Sequence, residues 1–560
     1  MDHVTSAPAA DTRPGAIVRH CRQVFLWPVY LLPLGGDGRV QDHAESLLRS
    51  PENHGIWQEV ADEFTGDPSQ FHERHYGEFV TFLPPVQRFL YGQGVGKSVR
   101  GGYGESPIRV LRRSDVAAMR VTLSRAAAPV TLGIAHVDLY LFYDTDIAIL
   151  VVEVLADDLP LSTVQDLMFR VGRAYPAYWE PDGSGGHCPA LVEWIGHGGA
   201  VLACSDYENR QKYLEFVCRH RSPAIAAHWE FLMQPLVPHY SDAKGLLRYR
   251  QLEYYRMPMM AYLALEDHGH LTHAERMRLA LALAPGEHIA SPQLSERQIQ
   301  DFEARFCLDN VHDGPLSHAA AARFMTCGHA LVVTGDAHDP AFAHAERGTL
   351  GAFRHQHFLV FLVAHFHKAA LQMFSDQLAG AVNRLDVRDY LAVQAFRADT
   401  RLALETFLRF THRYWFLEVS RQEQARELFS LCRRHLDLDR LYDDVRQEVQ
   451  DMSQYLEAEA GRRQNETMMR LTVVTAFGLV GTVATGFLGM NLFSHSEQPP
   501  EVKLAIFFTV FVPTAILTLY TIGKSRRLSE FLDALSDEKS GGWTVTRAFL
   551  AIWWPRKLRK

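Results

Sequence analysis

The most uniform apolar stretch of the chain covers residues 471–493 and ends in Gly489-Met490-Asn491. As an α-helix, this stretch spans roughly 34 Å, slightly more than the hydrocarbon thickness of a bilayer. A second apolar stretch, residues 504–523, follows a short polar loop at residues 494–503. The pattern therefore predicts two membrane-spanning helices that form a hairpin near the end of the chain.

Polar and small residues of the first stretch recur every seven positions, so they share one helix face. The first row is Met468, Thr475, Thr482 and Gly489, and the second row is Asn465, Thr472, Leu479 and Gly486. Such a face allows two helices to approach closely, as in any membrane bundle. It also suits a pore wall, because hydroxyl and amide oxygens attract a hydrated cation without a fixed charge in the membrane.

The tripeptide Gly489-Met490-Asn491, at the outer end of the first of two closing helices, resembles the signature of the CorA family of divalent-cation channels. Other residues stand at the spacings of that family's first helix: Asn465, Met468, Leu471, Thr472, Thr482 and Gly486. The resemblance implies a homopentamer with an α/β cytosolic domain, a long α-helical stalk and two C-terminal transmembrane helices. The first of these helices would line the pore, and the second would face lipid.

On this template, the Asn491 amide and backbone carbonyls near Gly489 would hold Mg²⁺ through its water shell. Such an outer-shell site agrees with the reluctance of Mg²⁺ to dehydrate. Leu488 replaces an aromatic residue usual in the family, and Val480 replaces a proline often found mid-helix. These departures leave open whether the preferred ion is Mg²⁺, Co²⁺, Ni²⁺ or Zn²⁺.

Basic residues predict the orientation of the hairpin. They flank its two cytosolic ends, at Arg462, Arg463 and Arg470 before it and at Lys524, Arg526 and Arg527 after it. The positive-inside rule then places both chain termini in the cytoplasm and the hairpin in the cell (inner) membrane. Glu497 and Glu501 of the connecting loop would concentrate cations at the outer mouth, or would merely keep the loop soluble.

Most of the 560 residues precede this hairpin. The net charge of the whole chain, −8, argues against a nucleic-acid surface. After a disordered lead at residues 1–20, residues 21–345 alternate strands and helices and predict an α/β domain. Residues 24–34 suggest an edge strand, residues 137–155 a β-hairpin, residues 244–265 helix and residues 330–336 a strand. Ser162 is a predicted helix cap.

Between Pro340 and Pro499 the chain contains no proline, which favours long helices. Residues 346–437 predict an antiparallel helical pair over residues 350–382 and 387–420. A stalk helix then begins near Gln422 or Leu438, covers residues 438–470 and enters the first membrane span without a stop. The basic and aromatic tail, residues 524–560, has the composition of an interfacial cytosolic segment.

Four acidic residues crowd the beginning of the stalk: Asp437, Asp439, Asp443 and Asp444. In the family that the chain resembles, intracellular Mg²⁺ between subunits holds the channel closed, and these aspartates are candidate ligands. Acidic residues also favour helix N-termini without binding any metal. Both interpretations stay open at the level of sequence.

The predicted function is passive conduction of a divalent cation, with Mg²⁺ first, and Met468, Leu471 and Leu479 as the candidate gate. The implied partners are the membrane, further copies of the chain and divalent cations, without nucleic acid or an organic cofactor. The sequence offers no enzyme motif: the glycine-rich loop at residues 91–102 has Tyr91 where a phosphate loop requires glycine. The alternative is a membrane-anchored scaffold whose cytosolic domain binds a partner.

Overall fold

The computed structural model divides the chain into two units, Met1–Val449 and Gln450–Lys560. The structure describes residues 16–32, 43–60, 72–92, 107–241, 247–252, 255–285, 295–309, 322–385, 390–493 and 499–523. The predictions for residues 1–15 of the lead, for residues 93–102 of the glycine-rich loop, for Glu497 and for the basic tail therefore lie outside the described residues. Residues 17–20, which were predicted to belong to the disordered lead, form the beginning of the first strand, so that part of the prediction is wrong.

One mixed sheet organises the first unit, and fourteen strands belong to it within the described residues. Its main path runs β12-β13-β14-β11-β1-β6-β5-β4-β7-β8, and β2, β3, β9 and β10 pair off this path. The strands are β1 Ile17–Leu31, β2 Trp57–Glu59, β3 Ile108–Arg113, β4 Val116–Thr122, β5 Val130–Phe142, β6 Ile147–Pro160, β7 Leu191–Gly196, β8 Val201–Cys204, β9 Val237–Pro238, β10 Arg248–Gln251, β11 Met259–Leu265, β12 Cys307–Asp309, β13 Arg323–Thr326 and β14 Ala330–Asp336.

Short helices connect these strands, and longer helices follow them. The first group is α1 His43–Arg49, α2 Glu73–Thr81, α3 Pro84–Tyr91, α4 Leu161–Arg170, α5 Arg210–His220, α6 Ala227–Met233, α7 His273–Ala280, α8 Glu296–Phe306 and α9 Pro340–Ala343. The second group is α10 Thr349–Ala352, α11 Phe358–Asn383, α12 Tyr390–Arg413, α13 Glu423–His435, α14 Leu438–Phe493 and α15 Pro500–Gly523. A π-helical turn, Phe353–His357, joins α10 to α11.

The prediction that the first strand lies at an edge is wrong, because β1 pairs with β6 on one side and with β11 and β10 on the other. Pro28 misled the prediction, since proline cannot donate to a ladder. The Pro28 carbonyl accepts a bond from the Leu252 amide, so its nitrogen faces the same side. On that side, Pro28 lies opposite the gap between the end of β10 at Gln251 and the beginning of β11 at Met259. The missing N–H therefore interrupts no continuous ladder.

Other strand predictions had mixed outcomes. The hairpin of β5 and β6 and the strand at residues 330–336 are confirmed. Within the predicted helix at residues 244–265, the described residues form β10 and β11 instead. The prediction failed because β11 is buried on both faces and lacks the alternation that marks a half-buried strand. Ser162 lies inside α4, whose N-cap is Pro160, so the predicted cap is wrong.

Helix α11 packs on the sheet and contacts the next long helix, α12. Phe366 stacks on Phe142 of β5 with ring centroids 4.3 Å apart, and Phe374 meets Phe407 of α12 at 5.4 Å. Arg384, just beyond α11, pairs with Asp399 at 2.8 Å. Later residues of the first helix thus contact earlier residues of the second, which confirms the antiparallel pair.

The second helix of this pair ends at Arg413 and not near residue 420. Ser420 forms a β-bridge with Phe82, and its hydroxyl donates to the Thr81 carbonyl. The chain is extended there, and a separate helix, α13, precedes the stalk. Of the two predicted stalk starts, Leu438 agrees with the structure and Gln422 does not.

Among the described residues, one helix is long and apolar enough to cross a bilayer, namely Thr349–Asn383. Of its most apolar window, 78% is buried inside the protein. Its side chains pack against the sheet and against α12, as the contacts of Phe366 and Phe374 show. The packing identifies it as a core helix of the first unit.

Several histidines of the first unit are fully buried, and burial lowers the pKa of His228 and of His367 to about 3. The folded state therefore holds fewer protons than the unfolded state below the ordinary histidine pKa of about 6.5. The contribution of these neutral histidines to the free energy of unfolding is complete above that pH. It declines by about 1.4 kcal/mol per histidine for each pH unit as the pH falls towards 3. We expect the thermal midpoint of the first unit, measured by circular dichroism, to drop as the pH is lowered from about 6.5 to about 4.5.

The variant His367→Gln removes this titration and keeps a donor for the Tyr414 carbonyl, 2.6 Å from His367 Nε2. Its midpoint should depend less on pH in the same window. The matched control is His20→Gln, which replaces a histidine whose side chain is 58% exposed. Equal slopes for all three proteins would contradict this assignment.

Candidate functional site

Helix α14 carries the candidate site, and it is one helix of 56 residues from Leu438 to Phe493. At about 1.5 Å per residue it is roughly 84 Å long. Its glycines at 461, 478, 481, 486 and 489 leave the helix unbroken, and a side-chain carbon built on any of them meets no neighbouring atom within 4 Å. The predicted continuity between the stalk and the first apolar stretch is thus present in the backbone.

The structure leaves the predicted pore face uncovered in a single chain. Met468 and Leu471 are 58% and 65% exposed. Five other members of this face are also exposed, and Gly489 is half-buried; the exposed members are Asn465, Thr472, Thr475, Thr482 and Gly486. By contrast, Val473 on another side of the helix is buried. The side chains of Leu479, Met490 and Asn491 lie outside the described residues, although their backbone is helical.

Each threonine of this face is oriented by its own helix. The hydroxyls of Thr472, Thr475 and Thr482 donate to the carbonyls four residues earlier, at 2.9, 2.8 and 2.8 Å. A hydroxyl that donates in this way keeps two lone pairs as acceptors. The water molecules around a cation donate hydrogen bonds outwards, so this arrangement suits a hydrated cation.

The helix extends past the tripeptide to Phe493. Its last four carbonyls, those of residues 490–493, consequently have no donor within the helix. The negative end of the helix dipole lies at the same place and favours a positive charge. Glu501, in the first turn of α15, is exposed.

The candidate regulatory aspartates have arginine neighbours within their own chain. Asp439 pairs with buried Arg433, Asp443 lies 3.7 Å from Arg446, and Asp444 lies 4.0 Å from Arg440. Asp437 adopts a left-handed backbone conformation, with φ of 53°, between α13 and α14. Within the described residues no group of three His, Cys, Asp or Glu side chains is placed to hold a metal ion. One chain alone therefore does not assemble a metal site from these four residues.

The beginning of the stalk packs against its own chain, which sequence reasoning missed. Val445 and Val449 are 1% and 5% exposed, and Tyr442 stacks on Trp415 with ring centroids 4.5 Å apart. These two valines are therefore buried within their own chain and are not available to face neighbouring copies. Trp415 lies just after the end of α12. Its large apolar side chain is the feature of the sequence that could have predicted this contact.

Residues 372–524 match a protein-family model described as CorA-like Mg2+ transporter protein. The match begins within α11, includes α12, α13, α14 and α15, and lies entirely after the last described strand of the sheet. No curated protein and no solved structure matches the chain. The match covers the region whose residues carried the resemblance in the sequence.

Proposed function

We propose that the chain, whose residues 372–524 form a CorA-like domain, is a passive channel for divalent cations, with Mg²⁺ as the first candidate. In this proposal five copies assemble around a pore, and residues 471–493 of each copy line it. The observation that carries the proposal is that the family match and Gly489-Met490-Asn491 fall on the same unbroken helix. We propose residues 504–523 as the lipid-facing span, with both chain termini in the cytoplasm.

Selection would depend on water-mediated contacts. A ring of Asn491 amides and the free carbonyls at the end of α14 would accept hydrogen bonds from the hydration shell of the ion. Mg²⁺ would then bind without losing the waters that it releases reluctantly. Exposed hydroxyls of Thr475 and Thr482 continue the same acceptor surface along the helix.

Gating would use the length of α14. Its first turns are fixed to the cytosolic unit through the Tyr442–Trp415 stack and the Asp439–Arg433 pair. A rearrangement of that unit would therefore move the base of α14, and the exposed Met468 and Leu471 side chains would close or open an apolar constriction. Leu479 is the third member of this proposed gate.

The variant Asn491→Ala tests the selectivity ring directly. We expect Mg²⁺ uptake into liposomes by the purified protein to fall about tenfold or more, since each copy loses its side-chain acceptor. Uptake is measured with an internal Mg²⁺-sensitive dye. Transport at the wild-type rate would refute the proposed role of Asn491, and no uptake by the wild-type protein would refute the channel itself.

A matched pair of threonine variants tests the orientation of the proposed pore face. Thr482→Val removes a hydroxyl at nearly constant shape, and we expect uptake to fall about threefold to tenfold. The control is Thr509→Val in α15, because Thr509 donates the same type of bond, to the Ala505 carbonyl at 2.7 Å. The control should retain wild-type uptake. Equal losses in both variants would show that Thr482 has no special contact with the ion.

We also propose that the four aspartates bind intracellular Mg²⁺ between neighbouring copies. Replacing Asp437, Asp439, Asp443 and Asp444 together by asparagine should raise several-fold the internal Mg²⁺ concentration that halves the uptake rate. The matched control is Asp451→Asn, at another exposed aspartate of the same helix. Unchanged inhibition in the quadruple variant would exclude these residues as the sensor.

A further inference from the structure

Two arginines meet inside the first unit, far along the chain from the candidate pore. Arg173 follows α4, and it forms an isolated antiparallel bridge with Arg256, which precedes β11. The bridge is held by bonds from the Met257 amide to the Gly172 carbonyl, 2.9 Å, and from the Ala174 amide to the Tyr255 carbonyl, 3.3 Å. The two basic side chains therefore leave adjacent backbone positions.

Both guanidinium groups lie against the same aromatic ring. The central guanidinium carbon of Arg173 is 5.0 Å from the Phe169 ring centroid, and that of Arg256 is 6.0 Å from it. Arg173 also lies 4.6 Å from the Tyr255 ring and is only 3% exposed. The two positively charged side chains thus lie together in an apolar, largely enclosed environment.

Their donors are only partly used. In the part of the chain that the structure describes, Arg173 donates one side-chain bond, from Nε to the Phe169 carbonyl at 3.1 Å. Arg256 Nη2 donates to the carbonyls of Met168 and Ala282, at 3.2 and 2.7 Å. Its Nε is buried and has no partner. Several N–H groups of a strong five-donor fork therefore remain available on each side chain.

No carboxylate forms an ion pair with either arginine among the described residues. Arg113, another buried arginine of this unit, is different because Asp115 accepts two bonds from it, at 2.6 and 2.8 Å. An unpaired buried charge costs several kcal/mol, since it loses its hydration without a counter-ion. The Arg173–Arg256 pair consequently has both the donors and the charge that an anion would satisfy.

The positive charge of the pair also lowers the pKa values of titratable groups around it. Burial and, after it, the charge of Arg173 lower the pKa of Arg256 to about 10. Burial and the charges of both arginines lower the pKa of His187 as well, and they lower that of His329 to about 3. The field of the pair therefore extends to both sides of the bridge.

We propose that Arg173 and Arg256 form an internal binding site for a small oxyanion of the size and charge of inorganic phosphate. Guanidinium forks bind such oxygens with two parallel bonds, which matches the unused donors. The low exposure of Arg173 excludes a bulky ligand, so a phosphate carried on a large group should not enter. Binding would neutralise the pair and join α4 to the segment before β11.

The test uses the full-length protein in detergent, with inorganic phosphate, adenosine monophosphate and sodium chloride compared at equal ionic strength. We expect the thermal midpoint of the first unit, followed by tryptophan fluorescence, to rise with inorganic phosphate and with neither other solute. An equal rise of the thermal midpoint with sodium chloride would show that the effect is charge screening, and this would overturn the proposal. An equal rise with adenosine monophosphate would overturn the enclosed, small-ion site.

Variants then assign the effect to the pair. Arg173→Met and Arg256→Met should each weaken phosphate binding at least about tenfold in isothermal titration calorimetry. The matched control is Arg113→Met, which removes an equally buried arginine from its carboxylate and should lower the thermal midpoint without changing the phosphate affinity. Should a methionine variant not fold, Arg173→Lys keeps the charge without the fork and should still lose affinity. Wild-type affinity in the folded Arg173 and Arg256 variants would refute the site.

Discussion

The packing of α11 between the sheet and α12 is the interaction on which the arrangement of the first unit depends. Phe366 rests on Phe142 of the sheet, and Phe374 rests on Phe407 of the next helix. Through α12 this contact reaches Trp415, on which Tyr442 at the base of α14 stacks. An apolar continuum therefore connects the centre of the sheet to the first turns of the long helix.

Polar groups on the face of the sheet that α11 covers show how this unit treats buried charge. Glu153 on β6 is 2% exposed and accepts from both Arg22 and His136, at 2.8 Å each. Hydrogen bonds and charge from these partners outweigh its burial and lower its pKa to about 2. Asp138 on β5 receives two bonds from Arg112. Arg173 and Arg256 differ from these groups, because neither forms an ion pair with a carboxylate among the described residues.

Sequence reasoning identified the elements whose signal is local. Gly489-Met490-Asn491 lies in one short segment, the hairpin of β5 and β6 has its turn residues between two apolar runs, and the stalk has no proline. The family match to residues 372–524 agrees with the resemblance drawn from those local features.

What sequence could not provide was pairing between distant segments. The place of Pro28 in the middle of the sheet depends on where β10 ends and β11 begins, over two hundred residues later. The strand β11 reads equally as a buried helix until its neighbours β1 and β14 are known. The Arg173–Arg256 pair is invisible for the same reason, because each arginine alone resembles a solvated surface residue.

The apolar helix Thr349–Asn383 has a consequence for how the protein is made. It passes the same test of length and apolarity as a membrane span, yet it belongs to the interior of a folded unit. The ribosome completes the sheet, which ends at Asp336, before this helix emerges. A folded surface that carries Phe142 is thus available to receive the helix during synthesis, and packing on that surface buries the apolar side chains of the segment.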